Sequence, residues 1–195
     1  STLCLLKEEK VKQALVMARK AVKEGLPFER FLGEPREWLK PLREMKEFRR
    51  WQESLNPSVL LHGPMVGQVT DLTASLWFRT NGPCEIEVEI TGHSGREKIT
   101  TSKEEGFVGV VHVDGLLPNT YFAYRIFVNG EEHLDSSREF GFRTFPEPHE
   151  GARFTIAFGG CSGFVPEYEK IWELIADHDP RAMLMLGDNV YIDDP

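Results

Sequence analysis

Cysteine is scarce and badly placed for cross-linking: Cys4, Cys84 and Cys161 are odd in number and far apart, so neither a disulfide framework nor a CxxC metal knuckle is available, and at least one thiol stays free. No apolar run approaches the length of a membrane span, and Leu3 to Leu6 meets Lys7-Glu8-Glu9-Lys10 at once, which is unlike a secretory leader. Basic residues are also in deficit. The net charge of −8 argues against a nucleic-acid surface, which needs clustered Lys and Arg. Glycine-rich phosphate loops are missing as well: Gly159-Gly160-Cys161-Ser162-Gly163 has neither the GxGxxG nor the GxxxxGK[ST] spacing. The six histidines are scattered, without partners at ligand spacing, and His112 sits at an outward strand position. There are no internal repeats and no low-complexity segment.

What remains is a soluble-type composition, 41% hydrophobic over 195 residues, long enough for a folded core. Charge divides the chain. Residues 1–57 carry +4, 58–146 carry −5 and 147–195 carry −7. The pattern of apolar residues changes at the same places.

In the first part, Leu3, Leu6, Val11, Ala14, Leu15, Ala18 and Val22 form one stripe with Gly25 as a stop, predicting an amphipathic helix over 3–24. Between Pro27 and Pro57 the prolines at 35 and 41 interrupt, while Leu42, Met45, Phe48 and Leu55 recur at helical spacing, predicting one or two shorter helices. Trp38, Trp51, Trp77 and Trp172 fall on helix or strand stripes and are expected in the core.

From Val59 the period becomes two. Strands are predicted at 74–79, 84–90, 107–113, 121–128 and 140–144, separated by turn signals such as Asn81-Gly82-Pro83, Ser94-Gly95 and Asn129-Gly130. Short antiparallel strands at this spacing make a β-sandwich. Phe145-Pro146-Glu147-Pro148 reads as a linker.

Beyond it, a strand at 154–158, a helix at 166–176 whose buried face is Ile171, Trp172, Ile175 and Ala176, and a strand at 182–186 predict a βαβ unit. Its two strands would be parallel, with Cys161 and Asp188 at their shared carboxyl edge, about 5 Å apart in backbone if the strands are neighbours. Open α/β sheets place ligands at that edge. A cysteine at a strand end is commonly a small buried hydrophobe, Asp188 after glycine can simply end a strand, and Tyr191 can be packing. Their joint spacing favours a metal site: Asp188 offers a hard anionic oxygen, Tyr191 a phenol that a multivalent cation can ionise, and Cys161 a thiolate, a set that suits ferric iron better than zinc. A metal so held can polarise a phosphoryl oxygen and turn water into hydroxide. Asp193 and Asp194 read as solvated loop residues.

Gly187-Asp188-Asn189-Val190-Tyr191 after an apolar strand resembles the second motif of calcineurin-like metallophosphoesterases, in the form shared with purple acid phosphatases. Phe158-Gly159-Gly160-Cys161-Ser162, where most relatives carry Asp-x-His, narrows the resemblance to PhoD-like alkaline phosphatases. The resemblance implies iron held by Cys161, Asp188 and Tyr191, calcium nearby, and hydrolysis of phosphate monoesters or diesters. It also implies a fibronectin-III-like sandwich ahead of the catalytic domain, and Leu116-Leu117-Pro118-Asn119-Thr120-Tyr121-Phe122 is similar to the corner of such sandwiches. Phe122 stands at the corner-tyrosine position without its hydroxyl, Arg181 stands where relatives have Asp, and Gly160 where Ser or Ala is common.

The expected architecture is therefore multi-domain: a helical N-terminal segment (1–57), a fibronectin-III-like antiparallel β-sandwich (58–146), and the opening βαβ portion of an α/β metallophosphoesterase domain (147–195). Residues 1–57 match no known pattern. The family's later Asn-, His- and Asp-bearing motifs have no counterpart before Pro195, so the 195 residues are expected to need the remaining C-terminal part of the catalytic domain, to bind metal weakly alone and to turn over little phosphate ester. An uncovered sheet edge would favour self-association. The family is often exported, whereas the chain itself specifies no compartment. A different class of reading is a non-enzymatic interaction module built on the sandwich and the helical arm, which an exposed apolar stripe on 3–24 would favour.

Overall fold

The computed structural model describes residues 1–33, 35–133, 139–161 and 170–188. The first helical stripe folds as two helices, α1 (Thr2–Lys7) and α2 (Val11–Lys23), not as the single helix expected. Glu9 adopts φ +59°, and Lys10 N–H donates to Leu5 O at 2.8 Å, so the chain reverses where four charged residues in a row, Lys7 to Lys10, offer nothing to bury. Leu6, Ala14, Leu15 and Ala18 are nonetheless buried and Leu3, Val11 and Val22 pack beside them, because each half turns the same stripe inward.

A 3₁₀ turn (Phe28–Phe31), α3 (Arg36–Arg43) and α4 (Lys46–Leu55) close this small core. Phe28 stacks on Phe48 at 5.4 Å and meets the Trp51 ring edge-on at 4.8 Å. Pro41 lies inside α3, which ends two residues later. Trp38 departs from expectation: it is 47% exposed, with the Lys7 ammonium 4.0 Å above its ring, and Trp172 is 43% exposed. Trp51 and Trp77 are half-buried.

The middle of the chain is an antiparallel sandwich. One sheet has the order β1 (Leu60–Gly67), β2 (Ala74–Thr80), β5 (Val108–Val113); the other runs β4 (Arg96–Thr101), β3 (Cys84–Ile90), β6 (Tyr121–Val128), β7 (Glu131–Glu132), with β8 (Gly141–Arg143) also paired to β6. Alternation explains the core: Leu76, Phe78, Ile86, Val88, Val111, Val113, Ile126 and Val128 face inward between the sheets. The outer positions of β3 are Glu85, Glu87 and Glu89. Lys98 and Arg96 lie 3.1 Å from Glu87, and these partners hold its carboxyl below the usual carboxylate range. Arg96 also covers the Phe127 ring at 3.6 Å, so this face is a paired charge lattice over one aromatic.

β1 joins the two cores, since Leu60 belongs to the sandwich interior while Leu61 packs on the helices. Arg36 strengthens the joint, donating to Thr80 O at 3.3 Å and stacking over Phe107 at 4.3 Å.

The corner before β6 lacks a tyrosine hydroxyl, because Phe122 is buried there. Thr144, fully buried, does that work. Its hydroxyl donates to Leu117 O at 2.6 Å and accepts from Thr120 N–H at 2.9 Å, while its own N–H donates to Thr120 O at 3.0 Å.

After the linker, β9 (Thr155–Gly159) and β10 (Pro180–Met185) pair in parallel, with α5 (Lys170–Ala176) between them in sequence. The helix start expected at Pro166 lies outside the described residues. The expected burial of Ile171, Trp172, Ile175 and Ala176 is corrected: no residue of α5 is buried and Ile171 is 50% exposed, because no described residue covers that face. Phe158, Leu184 and Leu186 are exposed as well. Among the described residues no helix is long and apolar enough to cross a membrane, and the three cysteines are free thiols.

Removing the Thr144 hydroxyl leaves Leu117 O and Thr120 N–H without their buried partner. Thr144→Val is expected to cost about 1–3 kcal/mol, seen as a lower urea midpoint at unchanged slope, while Thr144→Ser keeps most of it. Equal midpoints for Thr144→Val and the parent chain would show that the corner does not depend on this hydroxyl.

Candidate metal centre

The parallel register sets Gly159 beside Met185, so the two strands end level with each other. Leu186 N–H donates to Gly159 O at 2.8 Å, and Cys161 N–H to Gly187 O at 3.3 Å, carrying the pairing past the last strand residues. The chain then turns sharply on both sides: φ is +59° at Cys161, +122° at Gly187 and +49° at Asp188. Left-handed backbone at a non-glycine residue is costly and collects at functional sites.

These turns bring the Cys161 thiol to Asp188, donating to Oδ2 at 3.5 Å. Both residues are exposed, so Cys161 is not the buried hydrophobe that a lone strand-end cysteine commonly is. Two of the three expected ligands therefore meet at the carboxyl edge. Tyr191, like Asp193 and Asp194, lies outside the described residues.

The pair fits a metal ion in separation and in chemistry. A thiolate binds at ~2.3 Å and a carboxylate oxygen at ~2.1 Å, so any separation below their sum of ~4.4 Å lets one ion reach both; the observed 3.5 Å qualifies. Two donors do not complete a shell. Among the described residues no group of three or more His, Cys, Asp and Glu gathers at one point.

Gly160 explains how the strand ends come so close. A Cβ there would stand 2.8 Å from Gly187 O, a backbone atom that cannot swing aside. Glycine at position 160 is thus a contact requirement of this chain.

Sequence reasoning noted Arg181 only as a departure. In the structure it ties β10 to the sandwich, with Nη1 donating to Thr144 O at 2.6 Å and lying 3.5 Å from Asn119 Oδ1. Its position directly after Pro180, at the start of the strand, was the available signal.

Residues 57–145 match a family model described as a domain of unknown function, DUF7800. No curated protein matches the chain. Among solved structures, the chain is similar to the structure of PhoD, with a TM-score of 0.55 and 19% identity over 65% of this chain and 27% of that one. It thus spans about a quarter of that protein's length, and the likeness is one of fold. A fibronectin type III domain of the human KIAA0970 protein aligns with a TM-score of 0.33 at 16% identity, over 55% of this chain and 87% of that domain.

Gly160→Ala is expected to push Gly187 away, cost about 1–3 kcal/mol by overpacking and speed amide exchange at Cys161 and Leu186. Gly151→Ala, where nothing lies within 4 Å of the added Cβ, should stay within ~0.5 kcal/mol of the parent. Equal stability and exchange in the two variants would refute the contact.

Proposed function

We propose that this chain forms the leading part of a PhoD-like metallophosphoesterase acting on phosphate mono- or diesters, with Cys161, Asp188 and Tyr191 as iron ligands and a calcium site beside them. The observation that carries the reading is the 3.5 Å approach of the Cys161 sulfur to Asp188 Oδ2 at the level ends of two parallel strands. The fold likeness to the PhoD structure supports it.

When bound, the metal would supply a Lewis acid for a phosphoryl oxygen and activate water as the nucleophile. The protein's own part is positioning. Asp188 contributes a charged oxygen that two cations can share, Cys161 a soft anionic sulfur, and Tyr191 a phenolate oxygen three residues beyond Asp188. Gly160 and Gly187 fix the spacing of the first two through backbone contact. The remaining ligands would come from the rest of the catalytic domain, which also would cover the exposed apolar side chains of β9, β10 and α5.

The interaction-module reading draws no support from the helical arm: of the stripe that would have to be exposed, Leu6, Ala14, Leu15 and Ala18 are buried.

Ferric iron added to the 195-residue chain is expected to give a weak visible charge-transfer band, lost in Tyr191→Phe and diminished in Cys161→Ser, with p-nitrophenyl phosphate turnover near background. In the protein that joins this chain to the rest of its catalytic domain, Asp188→Asn should lower kcat/KM by at least about 100-fold, the upper end of what loss of an outer-shell partner costs. Undiminished turnover in Asp188→Asn would sink the assignment, as would efficient turnover by the 195 residues alone.

A further inference from the structure

A cavity of about 600 Å³ lies in the seam between the sandwich and the start of β10, at the end of the strand opposite Asp188. The two ends are roughly 20 Å apart along an extended strand, so the cavity is separate from the Cys161–Asp188 site. It is walled by the end of β1, by β8, by Phe145 and by Asp179 to Met183.

Two guanidiniums meet on this wall at one residue. Arg143 donates to Asn119 O at 3.1 Å, and Arg181 lies 3.5 Å from Asn119 Oδ1 while donating to Thr144 O. All of these acceptors are neutral. Among the described residues no carboxylate stands within 4 Å of either guanidinium, whereas Arg96, Lys98 and Arg125 on the sandwich face each hold glutamates. Asp179 is the acid on the cavity wall, and the Glu139 carboxylate is engaged by the phenol of Tyr121, so neither guanidinium has a carboxylate of its own. Burial, and then the nearby Arg143 charge, pull the Arg181 pKa below the ordinary arginine value, so the pair is held together against its own repulsion.

An unmatched guanidinium pair is a ready fork for an oxyanion. One carboxylate is satisfied by a single guanidinium, whereas a phosphate dianion presents enough oxygens and charge for two. The rest of the lining mixes apolar side chains, Val66, Val69, Phe145 and Met183, with the polar Gln68 and Tyr121, and its apolar part suits a hydrophobic body of small size. We propose that this seam is a binding site for a small organic phosphate, its head between Arg143 and Arg181 and its apolar part against Phe145 and Met183. Because Arg143 belongs to the sandwich and Arg181 to the strand pair, occupancy fastens the two units together.

The test is the thermal midpoint of the 195-residue chain in EDTA, which removes metal, titrated with phenyl phosphate or inorganic phosphate at constant ionic strength. Ligand that binds only the folded chain raises the midpoint saturably. Phenyl phosphate should act at concentrations at least ~10-fold lower than inorganic phosphate, the worth of burying its ring. Arg143→Gln, measured against its own ligand-free midpoint, should weaken the phenyl phosphate effect at least ~10-fold. Arg143→Lys should fall between, and Asp188→Asn should respond like the parent, which separates this site from the proposed metal centre. The proposal is overturned by the absence of any rise, by an equal rise with sodium chloride alone, by equal potency of the two phosphates, or by full response in Arg143→Gln.

Discussion

The backbone of Gly187 passes so close to Gly160 that a side-chain carbon on Gly160 would not fit, and the approach of Cys161 to Asp188 depends on this. The extra hydrogen bond from Cys161 N–H to Gly187 O holds the chain ends together, and left-handed turns on both sides then swing sulfur and carboxylate toward each other. Strain in the backbone and proximity of the donors are two aspects of one arrangement.

Thr144 occupies a comparable position at the other end of the strand pair. Its hydroxyl fastens the sandwich corner that a tyrosine would otherwise hold, and its carbonyl receives the Arg181 guanidinium. One buried residue therefore connects the inside of the sandwich to the unit that carries Cys161 and Asp188. Asn119, on the same corner, takes the second guanidinium through its own carbonyl. The corner is thus the mechanical base of the parallel strand pair, and Cys161 and Asp188 stand at its far tips.

Much of this was legible from residue pattern. β3 and β6 fall at their expected limits, because the alternating glutamates of β3 and the inward set Phe122, Tyr124, Ile126 and Val128 of β6 leave one register that buries the apolar face. β4 escaped because Arg96-Glu97-Lys98 is polar on both sides, as suits an edge strand whose outer residues pair with glutamates on β3. The break at Glu9 escaped because the apolar stripe continues in phase across it; reversal depends on what the second half packs against, which periodicity does not encode. The convergence of Cys161 with Asp188 was readable from the order strand, helix, strand, whereas the guanidinium pair joins residues 38 positions apart across two units and leaves no local mark.

The side chains of Phe158, Leu184, Leu186, Ile171 and Leu174 meet water on β9, β10 and α5. Each square ångström of such surface gains about 25 cal/mol from any apolar cover, whatever the shape of that cover. A face of this kind attracts before it discriminates. Which molecule first occupies it is decided by local concentration and tethering, and selectivity has to come from the polar groups at its margin.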